Sequence, residues 1–364
     1  MGKRVMILAG GTGGHVYPAL AVARELLDGD HDVIWMGTRK GLEARVIPAA
    51  GIPVEWLSVT GIRGKGWRGT LSAPFMLLRS LRQAHAIVRR VRPDVVLGMG
   101  GFVSGPGGLM ASVQRIPLVL HEQNRVPGTT NKLLAGRARV VLEAFPESFK
   151  PTVGARCTGN PLRREIAGLQ PRTAWWLPGS PLKIFVVGGS LGAKVLNETM
   201  PEALARIGEP LEILHQTGAA MRNETEAHYA EAGLKATVTA FVEDMAAAYA
   251  WADLAICRAG AMTVSELAAA GLPAILVPYP HAIDNHQTQN ARFLTDAGAA
   301  VLLPQTELTP EHLSQAIRDL VSTPGKLAGM SLQARSRARP DAARVVANIC
   351  LEQAGTTHQT GAVP

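Results

Sequence analysis

The run Val5-Met6-Ile7-Leu8-Ala9-Gly10-Gly11-Thr12-Gly13-Gly14-His15 decides the fold once it is set beside Ile184-Phe185-Val186-Val187-Gly188-Gly189-Ser190-Leu191-Gly192. Each is an apolar segment of strand length, then a glycine turn, then a helical pattern, over residues 16–27 in the first case and 193–206 in the second. The unit stands at the head of each half of a 364-residue chain. Further apolar segments alternate with amphipathic ones, at 32–36, 54–57, 94–98, 118–121 and 140–142, and again at 212–215, 237–240, 254–257 and 274–278. Continuous apolar strands alternating with helices predict parallel sheets covered on both faces. The expected fold class is therefore α/β, with two doubly wound, Rossmann-like parallel-sheet domains facing a cleft. Gly159-Asn160-Pro161 breaks any element and marks the boundary, giving domains over residues 1–160 and 161–340. Residues 170–181, rich in Pro, Trp and Gly, read as a surface loop. A last helix over about 341–354 has no strand after it and is expected to pack back on the first domain. Residues 355–364 read as a disordered tail.

With 47% hydrophobic and 18% charged residues, the composition is that of a globular protein. No apolar stretch reaches the roughly 18 residues a membrane span needs. Lys3 and Arg4 lead into a run too short for a signal peptide, so a cytoplasmic protein is expected. Cys157, Cys257 and Cys350 lack metal-ligand spacing and read as ordinary buried thiols. Charge is uneven: residues 1–160 hold 21 Lys and Arg against 10 Asp and Glu, residues 161–364 hold 16 against 19. The excess turns the first half toward something anionic. No aromatic stacking platform or reader motif supports nucleic acid as that partner.

Helix N-termini offer unpaired N–H groups and a partial positive charge, and glycine lets a phosphate approach the backbone. Residues 10–14, 98–108 (GMGGFVSGPGG) and 188–192 have this character, though each alone could equally be a tight strand–helix turn. Neither the turn at 11–16 nor that at 188–193 fits GxGxxG, and no Gly-Lys-Ser/Thr follows any of these glycine turns, so no P-loop is present. His15 stands at a helix start, where a positive helix end favours neutral imidazole, able to take a proton from a sugar hydroxyl or simply to bond the loop. Residues 258–266 (RAGAMTVSE) follow a strand and open a helix. Glu266 suits the paired hydroxyls of a ribose, and Thr263 with Glu266 equally spells a capping box.

Taken together, GGTGGH at 10–15, the 98–108 loop, HEQN at 121–124, GNPLR at 159–163, GGSLG at 188–192, FVEDMAAAYAW at 241–251 and RAGAMTVSE at 258–266 resemble the MurG family of GT-B glycosyltransferases. The resemblance spans nearly the whole chain. It implies an inverting transfer of N-acetylglucosamine (GlcNAc) from UDP-GlcNAc to the C4 hydroxyl of N-acetylmuramyl-pentapeptide on undecaprenyl diphosphate (lipid I), yielding lipid II for peptidoglycan. It further implies that the backbone at Val242 and the segment Ala261, Met262, Thr263 and Val264 hold uracil, that Ser265 is also substrate-binding, and that Glu266 holds the ribose. Ser190 and Arg163 would serve the diphosphate. Gln287, or its neighbour Gln289 because residues 281–290 run one residue longer than the family pattern, would touch the sugar. Thr12, Gly13, Gly14 and Asn124 would reach the donor from the first domain, with His15 or Glu122 as base.

The developing negative charge on the leaving diphosphate can be met by helix N-termini, backbone N–H groups and Arg163. No Asp-x-Asp is read as a ready chelate, so the expectation is metal-independent chemistry without a cofactor. Residues 63–92 combine Trp67, Phe75, Met76, Leu77 and Leu78 with Arg63, Lys65, Arg68, Arg79, Arg82, Arg89 and Arg90. They read as a face for an anionic membrane surface, against the alternative of an amphipathic helix whose apolar side is core. The implied location is peripheral, on the cytoplasmic face of the plasma (inner) membrane, with other cell-wall synthesis proteins as partners. Competing readings are a GT-B transferase of other substrates, a UDP-GlcNAc 2-epimerase and a non-catalytic nucleotide-sugar sensor.

Overall fold

Strands form where apolar residues run without interruption, because both faces of each strand are covered. In the first unit these are β1 (Arg4–Leu8), β2 (Asp32–Gly37), β3 (Val54–Trp56), β4 (Val95–Gly98), β5 (Leu118–Glu122), β6 (Val140–Glu143) and β7 (Arg156–Cys157). They alternate with helices α1 (Gly13–Asp28), α2 (Glu43–Ala49), α3 (Trp67–Val91), α4 (Ser104–Val113) and α5 (Thr129–Leu134). The computed structural model describes residues 2–58, 67–189 and 192–355, with backbone alone for 67–74 and 283. Ser190, Arg63, Lys65 and residues 356–364 of the tail therefore lie outside the described residues, as do the side chains of Trp67 and Arg68, whereas Gly355 closes the last helix.

The strand order is β3-β2-β1-β4-β5-β6-β7, all parallel. One face carries α1, whose Val16, Ala19, Val22, Ala23 and Leu26 are buried with Val5, Ile7, Trp35 and Leu97. The other buries Ala84, Ile87, Val88 and Val91 of α3 and Ala111 of α4 against Met6, Leu8 and Val96.

The second unit begins with α6 (Arg164–Ala167) and continues β8 (Leu182–Val187), α7 (Lys194–Ala205), β9 (Leu211–Gln216), α8 (Arg222–Glu231), β10 (Ala236–Thr239), α9 (Met245–Trp251), β11 (Leu254–Cys257), α10 (Ala261–Ala270), β12 (Ala274–Leu276), α11 (His286–Thr295), β13 (Ala300–Leu302), α12 (Pro310–Val321) and α13 (Lys326–Ser336). Its parallel sheet runs β10-β9-β8-β11-β12-β13. The chain divides into compact units at 163/164 and 339/340, and α14 (Ala342–Gly355) belongs to the first. Val346, Ala347 and Cys350 of α14 share the core of α1.

Residues 170–181 form a largely exposed loop, as expected, and it is pinned: the half-buried Trp175 and Trp176 pack on the second core, and Arg172 pairs with the buried Asp253 while bonding the Trp251 carbonyl at 2.9 Å. One local expectation is corrected. Cys157 is exposed, because it sits on the two-residue edge strand β7, whereas Cys257 and Cys350 are buried.

Candidate active site

In each unit two strands that are not consecutive in the chain lie side by side, β1 with β4 and β8 with β11. Connections leave such a pair toward opposite faces, which opens a crevice at the carboxyl ends of the strands. Three of the motif-bearing segments fall at these two points: 10–15 and 98–104 in the first unit, 258–266 in the second. The turn after β8 opens the 188–192 segment at the same place.

In the first unit the two glycine loops touch. A Cβ at Gly101, whose φ is +82°, would stand 2.3 Å from the Gly10 carbonyl oxygen. Ser104, fully buried, ties the second loop down: its hydroxyl accepts from the Gly100 amide at 3.0 Å and lies 2.9 Å from the Leu8 carbonyl. Thr12 is the N-cap of α1, and Gly13 and Gly14 form its first turn, where N–H groups lack intrahelical partners. His15 follows, half-buried, with Nδ1 3.5 Å from Thr12 Oγ1. Its imidazole is held below the ordinary histidine range by burial, while the Glu122 charge pulls it back up.

Glu122 is only 2% exposed at the end of β5. Its Oε1 accepts from the Asn124 amide at 2.9 Å, and its Oε2 from Gly128 N at 3.0 Å and Asn131 Nδ2 at 2.8 Å. Both oxygens are engaged, so the second candidate base is an anchor for the turn that carries Asn124. His121 donates from Nε2 to the Gly159 carbonyl at 2.9 Å, and Asn160 Nδ2 donates to the Gln123 carbonyl at 3.1 Å, fixing the start of the GNPLR segment. Arg163, at the end of that segment, lies over the Tyr17 ring at 5.8 Å.

The expectation about metals passes over Asp28-Gly29-Asp30-His31-Asp32, which contains Asp-x-Asp twice. This stretch joins the end of α1 to the start of β2, at the opposite end of the sheet from the glycine loops, and Asp32 pairs with Arg4 at 3.3 Å. Among the described residues no group of three His, Cys, Asp or Glu is placed to hold a metal ion.

In the second unit a cavity of about 660 Å³ opens between the turn after β8 and the residues after β11. That volume is in the range of small-molecule sites. Gly188, Gly189 and Gly192 line one side; Thr263 and Gln287 line another. Gln287 Oε1 accepts from the Tyr279 amide at 2.9 Å, and Gln289 is not part of the lining. Arg258 has no assigned role in the sequence pattern beyond opening the 258–266 segment. Its guanidinium, in the cavity wall, donates to Gln305 Oε1 at 2.7 Å and to the Val277 carbonyl at 3.1 Å, over the Tyr279 ring at 5.5 Å. An arginine directly after a switch-point strand is the signal that could have found it.

Gln216, also missed, joins two predicted segments: Nε2 donates to the Gly189 carbonyl at 3.0 Å and Oε1 accepts from the Val242 amide at 2.8 Å. The Val242 amide is therefore already bonded. The capping box is not formed, since α10 starts at Ala261 with Gly260 as N-cap and Thr263 inside the first turn. Glu266 instead accepts from Tyr249 Oη at 2.9 Å. Val264 is turned inward, 0% exposed, and its amide donates to the Gly260 carbonyl at 2.9 Å, so it offers a ligand neither side chain nor amide. Ala261 is buried too; Met262, Thr263, Ser265 and Glu266 are half-buried.

Residues 5–143 match the N-terminal domain and residues 183–346 the C-terminal domain of glycosyltransferase family 28. A Methylococcus capsulatus protein named UDP-N-acetylglucosamine–N-acetylmuramyl-(pentapeptide) pyrophosphoryl-undecaprenol N-acetylglucosamine transferase is 59% identical, over 98% of this chain and 100% of its own. The chain belongs to glycosyltransferase family 28. The crystal structure of Acinetobacter baumannii MurG superposes with a TM-score of 0.82 at 43% identity, covering 96% of this chain and 99% of that one. Family 28 thus shows the GT-B fold class, two Rossmann-like parallel-sheet units. A UDP-GlcNAc 2-epimerase from Neisseria meningitidis shares the fold alone: 12% identity, TM-score 0.69, 96% of this chain and 100% of that one. Within this family 28 chain, the switch points carry the motifs, and Glu122, Arg258 and Gln216 hold the loops around them.

Proposed function

We propose that this chain transfers GlcNAc from UDP-GlcNAc to the C4 hydroxyl of the muramyl sugar in lipid I, giving lipid II for peptidoglycan. The observation that carries this reading is 59% identity over essentially the full length of a relative bearing that activity's name. The donor is read onto the second unit, with the diphosphate at the glycine turn before α7, ribose at Glu266 and sugar at Gln287. The acceptor is read onto the first unit, at the two touching glycine loops.

In the reaction the C4 oxygen forms a bond to the anomeric carbon from the face opposite UDP, and the bond to the diphosphate oxygen breaks. Negative charge grows on the diphosphate, where first-turn N–H groups and the guanidinium of Arg163 or Arg258 oppose it; one such donor is worth about 3 kcal/mol of barrier. His15, whose imidazole is held below the ordinary histidine range, takes the hydroxyl proton.

A lipid-linked acceptor requires the chain to work at a membrane surface. Among the described residues no helix is long and apolar enough to cross one. Phe75, Leu77 and Leu78 of α3 are 79%, 51% and 47% exposed, beside exposed Arg79, Arg82 and Arg89. The later half of the same helix is core, so α3 fits both sequence readings in turn. An exposed apolar cluster with a basic rim supports peripheral binding to an anionic leaflet on the cytoplasmic side.

The test is UDP-GlcNAc plus a lipid I analogue, assayed for disaccharide and UDP. Product with inverted anomeric configuration is expected. Conversion of UDP-GlcNAc without acceptor, or binding without turnover, would replace this reading by the epimerase or the sensor.

A further inference from the structure

Glu43, at the start of α2, is 0% exposed. Carboxylates are almost never buried to that degree without partners. One oxygen accepts from the Gly11 amide at 3.0 Å. The other accepts from the amide and the hydroxyl of Thr38, at 2.9 and 2.7 Å. The Leu42 amide also reaches the Gly11 carbonyl, at 3.4 Å. The Gly11 peptide, at φ +94°, is thus gripped on both sides from the beginning of α2, immediately before the cap and first turn of α1.

Three glycines make the space for this carboxylate. A Cβ at Gly10, Gly37 or Gly41 would lie 2.6, 2.8 or 2.0 Å from a Glu43 side-chain atom. They come from three separate segments: the loop after β1, the end of β2 and the turn before α2. Gly10, which reads in the sequence as part of a phosphate cradle, makes room for a side chain from elsewhere.

We propose that Glu43 is a positioning residue for the transfer, setting the path of residues 10–14 and so the place of their N–H groups and of the His15 imidazole. It touches no substrate and acts through the loop. An apolar filler would leave the Gly11 and Thr38 amides unbonded. Glutamine would turn its NH₂ against one of them, since only one of its two terminal atoms accepts. The proposal rests on the reading that this loop serves GlcNAc transfer.

The experiment compares wild type, Glu43→Gln, Glu43→Asp and Thr38→Val for thermal stability, UDP affinity by calorimetry, and kcat with lipid I analogue. Glu43→Gln should bind UDP within twofold of wild type, because that site is on the other unit, yet lose at least tenfold in kcat. Glu43→Asp, which keeps both acceptors, should recover part of that loss. A lowered melting temperature with unchanged kcat per folded molecule would assign Glu43 a purely structural part and overturn the proposal. Should Glu43→Gln fail to fold, Thr38→Val removes one bond to the same carboxylate and should cost two- to fivefold in kcat; an unaltered rate there also overturns it. Absence of transfer by the wild type would instead sink the functional reading, and this inference with it.

Discussion

Tyr249 donates its phenolic hydroxyl to Oε2 of Glu266 at 2.9 Å. The tyrosine is itself locked, 2% exposed and edge-on to Phe185 with ring centroids 5.9 Å apart. It orients the carboxylate assigned to the ribose. A hydrogen bond to a charged group contributes about 1.5 kcal/mol, so Tyr249→Phe should raise the KM for UDP-GlcNAc about tenfold at similar kcat. Glu266→Ala should raise it further. Unchanged KM in both variants would put the ribose elsewhere.

His15 predicts a pH profile. Its imidazole is depressed below the ordinary value of 6.5, chiefly by burial and against the Glu122 charge. A base works deprotonated, so kcat/KM should hold through neutrality and fall only as pH drops through a value below 6.5. Glu122→Gln removes the charge that raises the imidazole, so the acid limb should move to still lower pH. A move to higher pH would contradict the assignment. His15→Gln should cost about 10²–10⁴ in kcat.

His121 and His215 make the fold acid-sensitive. Burial pushes His121 down to about 4 and His215 down to about 3. Between 6.5 and these values the unfolded chain binds a proton the folded chain does not, so stability is lost as pH falls through that window. For His121 the loss is about 3 kcal/mol by pH 4. Calorimetric melting temperatures should drop steadily from pH 7 to 4, with a shallower slope in His121→Gln.

On α3, replacing Arg79, Arg82 and Arg89 together with Glu should weaken sedimentation with anionic vesicles at least about a hundredfold, at about 1 kcal/mol per cation. That effect should fade at high salt, where surface charge is screened. Phe75→Ser should weaken binding at any salt. Vesicle binding equal to wild type in both would remove the membrane face from α3.

Much of the architecture was legible because buried parallel strands are written as unbroken apolar runs, and the strand–glycine–helix unit occurs at both heads. The two-residue edge strand β7, Arg156–Cys157, carries no apolar pattern to be read, while β13 lies in the apolar run 299–303, whose signal is there but was not read. The motifs at 10–15 and 258–266 pointed to the carboxyl ends of β1 and β11, where the structure puts them, because their chemistry is local: helix starts, small residues, a histidine, a carboxylate.

What the sequence determined by itself was the class of fold, the family and the segments that end up at the two switch points, since each depends on residues near one another in the chain. Only the tertiary structure decided which side chains hold those segments. Glu43 lies 32 residues from the Gly11 amide it accepts from, and Gln216 lies 26 residues from Val242. The same is true of direction: Val264 points into the core while Thr263 lines a cavity, and a string of letters carries no azimuth until the helix is docked. Glu122 reads as a base by type; the hydrogen bonds from Asn124, Gly128 and Asn131 make it an anchor. Burial and partners set what a carboxylate or imidazole does, and both are properties of the folded chain.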